Sequence, residues 1–203
     1  APWNPAFLPT KTELDSYECR HGMGYTTFRS AKDQLTAKLT LFVPIGESCE
    51  VHDLTLTNHS EETKFVQVYG CMEWCLYNAV DDAQNYQRNL NIAESEVEPS
   101  VLYHVTEYRE RRNHYADYGV NMDTSGYDTD RNTFLGHMGD WSLPKAVAKE
   151  TSYGSQITGW YPIACHRLDV TLAPGESFRA GFILGYGENP KDRKFGPDGR
   201  IRK

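Results

Sequence analysis

Gln34-Leu35-Thr36-Ala37-Lys38-Leu39-Thr40-Leu41-Phe42-Val43 is the stretch that decides the fold. Leu35, Ala37, Leu39, Leu41 and Val43 fall on one side of an extended chain, with Thr36, Lys38 and Thr40 on the other. Successive side chains of a strand point to opposite faces, so this period of two predicts a strand with one buried and one wetted face. Pro44-Ile45-Gly46-Glu47 interrupts the pattern, and residues 50–57 resume it with Leu54 and Leu56. A polar turn at 58–62 leads into 64–76, where Val66 and Val68 share one face and Phe65, Tyr69 and Cys71 the other. A strand that is apolar on both sides needs cover on both, which implies more than one layer. Toward the end, Leu168, Val170 and Leu172 alternate with Asp169 and Thr171. Pro174-Gly175-Glu176 reads as a turn there, and 178–184 as the returning arm of a hairpin. No segment holds three turns of helical periodicity, and residues 144–150 have room for one or two. The expectation is an all-β fold, an antiparallel β-sandwich with long loops and at most short helices.

Working outward, two stretches lack this alternation. Residues 78–91 are rich in Asn, Asp, Gln and Tyr, and residues 121–156 are irregular and glycine-rich. Loops of that length in a compact domain are usually functional or face a partner. Residues 188–203 are charged and rich in Pro and Gly, and read as a linker or frayed end, so the expected domain is 1–187. The chain has 203 residues, enough to bury roughly 70% of its unfolded surface without a metal or disulfide staple. Its 21 Lys and Arg against 28 Asp and Glu give −7, the wrong sign for a general nucleic-acid binder. No apolar run approaches the ~20 residues of a membrane span, and the first residues do not read as a secretory leader. The expectation is a cytoplasmic protein.

The titratable residues give little by spacing alone. Five cysteines, Cys19, Cys49, Cys71, Cys75 and Cys165, are odd in number and widely spaced, which fits reduced thiols better than a disulfide framework. Cys71 and Cys75 would lie about 13 Å apart on one strand face, too far to share a metal. Seven histidines show no zinc spacing, and neither a nucleophile elbow nor a phosphate or dinucleotide loop is present. No metal or cofactor is expected. The acid pairs Asp81-Asp82, Glu107/Glu110 and Asp128/Asp130 are compatible with sugar-bond chemistry, but such pairs in loops more often bond backbone amides. The glycosylation pattern Asn58-His59-Ser60 falls in a turn and is discounted. Residues 106–115, with Arg109, Arg111 and Arg112, suit either a phosphate or carboxylate clamp or an ion-pair ladder with Glu107 and Glu110. Residues 81–89 offer amides, carboxylates, a guanidinium and the Tyr86 ring, the groups that hydrogen-bond and stack on sugars.

Five segments carry a family resemblance: Tyr17-Glu18-Cys19-Arg20-His21-Gly22-Met23-Gly24-Tyr25-Thr26, then residues 73–91, 106–118, 126–136 and 184–190. Together they resemble the amino-terminal β-sandwich domain of cellobiose phosphorylases of glycoside hydrolase family 94, along nearly the whole chain. Chitobiose-splitting relatives share the Arg20-His21-Gly22 pattern, but Gln87-Arg88-Asn89 and the 109–114 wording tilt the resemblance to cellobiose. It implies a galactose-mutarotase-like supersandwich within a larger cytoplasmic homodimer that also holds a helical barrel. The implied reaction takes cellobiose and inorganic phosphate to α-glucose 1-phosphate and glucose with inversion. One acid in the barrel protonates the leaving oxygen while phosphate attacks, so no second carboxylate is needed as base.

The resemblance also implies that this sandwich contributes dimer contacts and part of the partner subunit's acceptor-sugar subsite. Carried over residue by residue, the substrate-binding pair is Gln87 and Arg88, hydrogen-bonded to hydroxyls of the leaving glucose. No catalytic residue is expected on this chain, which reads as a fragment with unpaired strand edges prone to self-association. The alternatives are a stand-alone carbohydrate-binding module using Trp74, Trp141 or Trp160, and a small epimerase on a related sandwich.

Overall fold

The computed structural model describes residues 1–76, 80, 84, 92–106, 113–189 and 193–203. Among them the strands are β1 (Ser16–Gly22), β2 (Tyr25–Lys32), β3 (Leu35–Phe42), β4 (Cys49–Asn58), β5 (Lys64–Glu73) and β6 (Ala93–Glu98). They continue with β7 (Val101–Thr106), β8 (His114–Val120), β9 (Gly126–Asp130), β10 (Thr158–Gly159), β11 (Pro162–Leu172) and β12 (Ser177–Glu188). Two short helices, α1 (Arg131–Leu135) and α2 (Lys145–Ala148), lie between β9 and β10. The strands form two sheets, one of nine in the order β1-β2-β3-β4-β12-β8-β7-β6-β10 and one of three in the order β5-β11-β9. Every ladder is antiparallel. The expected antiparallel β-sandwich is the observed architecture, and the helical turns at 144–150 are α2.

Register follows the alternation. Phe28↔Leu39 and Leu39↔Leu54, then Ala37↔Leu56, stack apolar side chains across β2, β3 and β4. The β2–β3 turn holds Asp33 and Gln34 at φ 51° and 60°, the two positive values that let a two-residue turn match the strand twist. Leu54, Leu56, Tyr118, Ala180 and Phe182 of the large sheet meet Ala164, Leu168, Val170 and Leu172 of the small one. Each such side chain contributes about 1.5–3 kcal/mol by leaving water. Gly70 on β5 makes room for this contact, because a Cβ there would sit 2.4 Å from the Phe182 ring.

Four expectations need correction. The turn Pro174-Gly175-Glu176 does not close a hairpin: β11 pairs with β5 and β9, whereas β12 pairs with β4 and β8. The turn therefore carries the chain between sheets, which local turn chemistry cannot distinguish from a hairpin. Residues 121–156 are not loop throughout, since they contain β9, α1 and α2. The strand Gly-Tyr-Asp-Thr-Asp has no clean apolar period because its buried members include Asp128 and Thr129.

The third correction concerns the thiols. Cys71 and Cys165 are directly paired across β5 and β11 and joined in a disulfide. Their 94-residue separation hides the pairing until the register is known. Cys19 and Cys49 are free, and Cys75 is not part of the disulfide. The argument from thiols for a reducing compartment does not extend to the bonded pair.

The chain's end is also ordered. β12 runs to Glu188, and residues 193–203 pack along the outer face of β6 with Ile201 buried, so they are neither frayed nor a loose linker. Glu94, Glu96 and Glu98 alternate onto that face and meet Lys194, Arg200 and Lys203. The Ile201 amide donates to Glu96 at 2.7 Å, and the Lys203 ammonium sits 3.7 Å over the Tyr103 ring.

The fully buried Asn58 ties together two of the connections between sheets, β4 to β5 and β11 to β12. Its amide nitrogen lies 2.7 Å from the Glu62 carbonyl and 3.0 and 3.2 Å from those of Leu172 and Ala173. Its Oδ1 accepts from the Ser60 amide and hydroxyl. The side chain is thus spent on backbone groups, in keeping with discounting the glycosylation pattern.

Candidate functional site at one end of the sandwich

Strand directions put the distinctive segments at one place. In the large sheet the registers Gly22↔Tyr25, Tyr25↔Phe42, Gly185↔Cys49, Glu188↔His114 and Ala93↔Thr106 set these strand ends side by side. In the small sheet, Ile163↔Glu73 and Pro162↔Asp130 do the same. The short connections held by Asn58 lie at the other end of both sheets. The two sets of ends therefore belong to one end of the sandwich. Each of the five segments singled out in the sequence has residues there: the 22–25 turn, Glu73, Thr106 with His114, Asp130 with α1, and residues 184–189.

Gln87 and Arg88 lie outside the described residues. So do Asp81, Asp82, Glu107, Glu110, Arg109, Arg111, Arg112 and Tyr86. The strand residues that flank these segments, Glu73 and Ala93 for one and Thr106 and His114 for the other, are at this end.

Two polar knots shape the described part of the site. Asp130 caps α1 by accepting from the Asn132 amide and the Thr133 hydroxyl, which aims Arg131 back across the sheet end. Arg131 Nε then lies 2.6 Å from Glu73 Oε1, and the same oxygen accepts the Trp141 indole N–H at 3.0 Å. Beneath this knot pack Phe134, Leu135, Ala146 and Ile163. In the second knot the Tyr186 hydroxyl contacts His114 Nδ1 and donates to Glu188 at 2.8 Å. Asn113 and Asn189 close it, with the Asn189 amide donating to the Asn113 carbonyl at 2.9 Å. Sequence reading missed both knots. The one available hint was that Arg131, His114 and Tyr186 fall inside the distinctive segments.

Exposed apolar side chains also lie along this end. Met23 and Ile45 are fully exposed, and Tyr25, Val43, Ile92, Trp160 and Tyr161 are partly so. Trp160, at 58% exposure, is open enough to stack on a ligand. Trp74 is not: it is buried and stacked on His104, with ring centroids 5.1 Å apart. Burial, with a smaller push from the Lys194 ammonium, takes the His104 imidazole down to about 3, so it stays neutral at physiological pH. Trp141 has its N–H committed to Glu73.

The other candidates have structural employment. Buried Asp128 accepts from the Tyr153 and Ser155 amides and the Ser155 hydroxyl, and Asp130 is the helix cap. Among the described residues no group of three or more His, Cys, Asp or Glu is arranged to hold a metal. None of the described helices is long and apolar enough to cross a membrane. This end of the sandwich offers hydrogen-bonding side chains and apolar contacts. It shows no described pair of groups poised as nucleophile and base on a sugar.

Comparison with known proteins bears directly on this surface. A family model described as glycosyl hydrolase 94, supersandwich domain, matches residues 1–194. The chain is 31% identical over 191 residues to an N,N'-diacetylchitobiose phosphorylase of Vibrio furnissii, covering 92% of this chain and 24% of that protein. It is 29% identical over 178 residues to a solabiose phosphorylase of Paenibacillus borealis, covering 86% of this chain and 23% of that protein. The chain thus spans about a quarter of the length of these relatives. Among solved structures it is similar in fold to a bacterial glucoamylase complexed with acarbose. There the TM-score is 0.53 at 10% identity, covering 82% of this chain and 22% of the other.

Proposed function

The chain belongs to the glycosyl hydrolase 94 supersandwich family, and from that premise we propose that it is the sandwich domain of an inverting disaccharide phosphorylase. The parent enzyme converts cellobiose and inorganic phosphate to α-glucose 1-phosphate and glucose, with its general acid on polypeptide beyond these residues. This domain supplies contacts between two subunits and, through Gln87 and Arg88, part of the neighbour's acceptor-sugar subsite. The observation that carries the reading is that residues of all five distinctive segments lie at one end of the sandwich. A scaffold of this kind needs no catalytic pair of its own.

The choice of cellobiose rests on the wording of residues 87–89 and 109–114. The relatives named above are phosphorylases of other sugars, so the donor–acceptor pair is the part of the proposal most open to test. The decisive experiment offers the complete enzyme cellobiose, N,N'-diacetylchitobiose and solabiose with phosphate and measures sugar 1-phosphate. Cellobiose is expected to be turned over fastest. A preference for either of the others overturns the sugar assignment, and no phosphate-dependent release from any of the three overturns the phosphorylase reading. The isolated 203-residue chain is expected to release none.

A second reading, a stand-alone sugar-binding module, draws on the exposed Trp160 ring. It predicts binding of cellobiose or glucose by the isolated chain, which titration calorimetry tests directly.

A further inference from the structure

Strand β1 carries a constellation that the reading above does not use. Tyr17, Cys19 and His21 alternate onto one face of β1, and β1 is an edge strand of the large sheet, with β2 as its one neighbour. Cys19 is a free, half-buried thiol whose Sγ lies 3.6 Å from Nε2 of exposed His21. The other nitrogen of that ring, Nδ1, lies 3.0 Å from the hydroxyl of Thr26, the residue directly paired with His21 on β2. Glu18 and Arg20 point to the opposite face and pair with each other at 2.7 Å.

These parts have the logic of an activated nucleophile. A thiol attacks as its thiolate, and an imidazole within reach of the sulphur can take its proton during attack. That requires the lone pair on the nitrogen facing sulphur. In the tautomer in which Nδ1–H donates to the Thr26 oxygen, that lone pair lies on Nε2.

We propose that Cys19 is a site of reversible thiol–disulfide exchange with low-molecular-weight disulfides of the glutathione type, with His21 as its base. Cys19 Sγ attacks one sulphur of the reagent, the reagent's S–S bond breaks, and a mixed disulfide forms on Cys19. The thiol proton passes to His21 Nε2 and then to the departing thiolate. Cys19 is oxidised to the disulfide level while half of the reagent is reduced to a thiol, so electrons balance without another oxidant.

The full chain provides its own comparison, because Cys49 is, like Cys19, a free and half-buried thiol. The test incubates it at pH 7 with oxidised glutathione and follows each cysteine by peptide mass mapping. Cys19 is expected to be modified about tenfold faster than Cys49. His21→Gln should abolish that advantage at pH 7 and leave the Cys19 rate unchanged at pH 9.5, where thiols ionise unaided. Thr26→Val should lower the pH 7 rate without altering the rate at pH 9.5. Modification of Cys19 no faster than Cys49 in the unmutated chain overturns the proposal, whatever the variants do. An unchanged pH 7 rate in a folded His21→Gln chain, with folding checked by far-ultraviolet dichroism, overturns the role of His21.

Discussion

The side-chain nitrogen of Asn58 lies 3.0 Å from the carbonyl oxygen of Leu172, joining the end of β4 to the end of β11 across the sandwich. The carbonyls of Leu172 and Ala173, and that of Glu62, find this donor at a corner where the chain is changing sheets and has no ladder partner to offer. Asn58→Ala leaves those oxygens short of a donor and is expected to destabilise the chain by about 3 kcal/mol. Asn58→Asp replaces the donor with an acceptor and should cost more. Urea denaturation followed by tryptophan fluorescence measures both, and a change under about 0.5 kcal/mol would refute the tie.

Gly70 and Phe182 make a second pair that can be tested. An added Cβ at residue 70 meets the ring at 2.4 Å, and both lie between the sheets. Gly70→Ala is expected to cost about 1–3 kcal/mol by overpacking. Adding Phe182→Leu should recover part of that loss. A double variant less stable than the sum of the single ones contradicts the proposed clash.

Stability should fall as pH drops from about 6.5 toward 3, and His104 is one source. Its imidazole is held down to about 3 by burial first and the Lys194 charge second. The unfolded chain therefore takes up a proton in that window that the folded chain refuses. His166, also lowered mainly by burial, acts in the same direction. His104→Leu is expected to reduce the slope of unfolding free energy against pH between 6.5 and 5, where ordinary carboxylates do not titrate. An unaltered slope removes His104 from the balance.

The packed terminal segment should be sensitive to salt and acid. The Glu96 carboxyl is pulled both ways: burial raises it, while the Ile201 amide and the Lys203 and Arg200 charges lower it more, and the net shift is downward. The stability it lends is present above the ordinary carboxylate value and is lost as pH falls through the lowered one. Raising salt screens the half-exposed Arg200 pairs as well. Hydrogen exchange at the Ile201 and Arg202 amides is expected to quicken in 1 M salt or at pH 3, ahead of the Leu168 and Val170 amides. Simultaneous release would show that the segment has no independent opening.

In the complete enzyme, Arg88→Ala is expected to weaken acceptor use in the synthetic direction by about 1–3 kcal/mol, with donor use less affected. Acceptor KM and kcat both equal to those of the parent would remove Arg88 from the subsite.

The core was legible where burial and period coincide. Leu35, Ala37, Leu54, Leu56, Leu168, Val170 and Leu172 were assigned from alternation alone, and each is buried. What sequence could not reveal was any relation between distant strands. Cys71 with Cys165, Glu73 with Arg131, and His114 with Tyr186 become neighbours only once β5, β9, β11 and β12 take their registers. β9 escaped notice because its buried residues are Asp128 and Thr129, which satisfy themselves through Ser155 and so leave no hydrophobic trace. The family likeness singled out its segments without showing that they share one end. Gln87 and Arg88 lie outside the described residues, so their role stands on the likeness alone.

Asn58 sits at the end opposite the exposed Met23, Ile45 and Trp160 side chains, which divides the molecule's evolutionary freedom. The strand residues that flank the intervals 77–91 and 107–112, Glu73 with Ala93 and Thr106 with His114, are also at the end away from the corner that keeps the layers together, so changes in those intervals start from anchors on which that corner does not depend. A directed-evolution library confined to those two intervals should retain a high proportion of well-folded members. One that touches residues 58–62 or 172–176 should lose most of them.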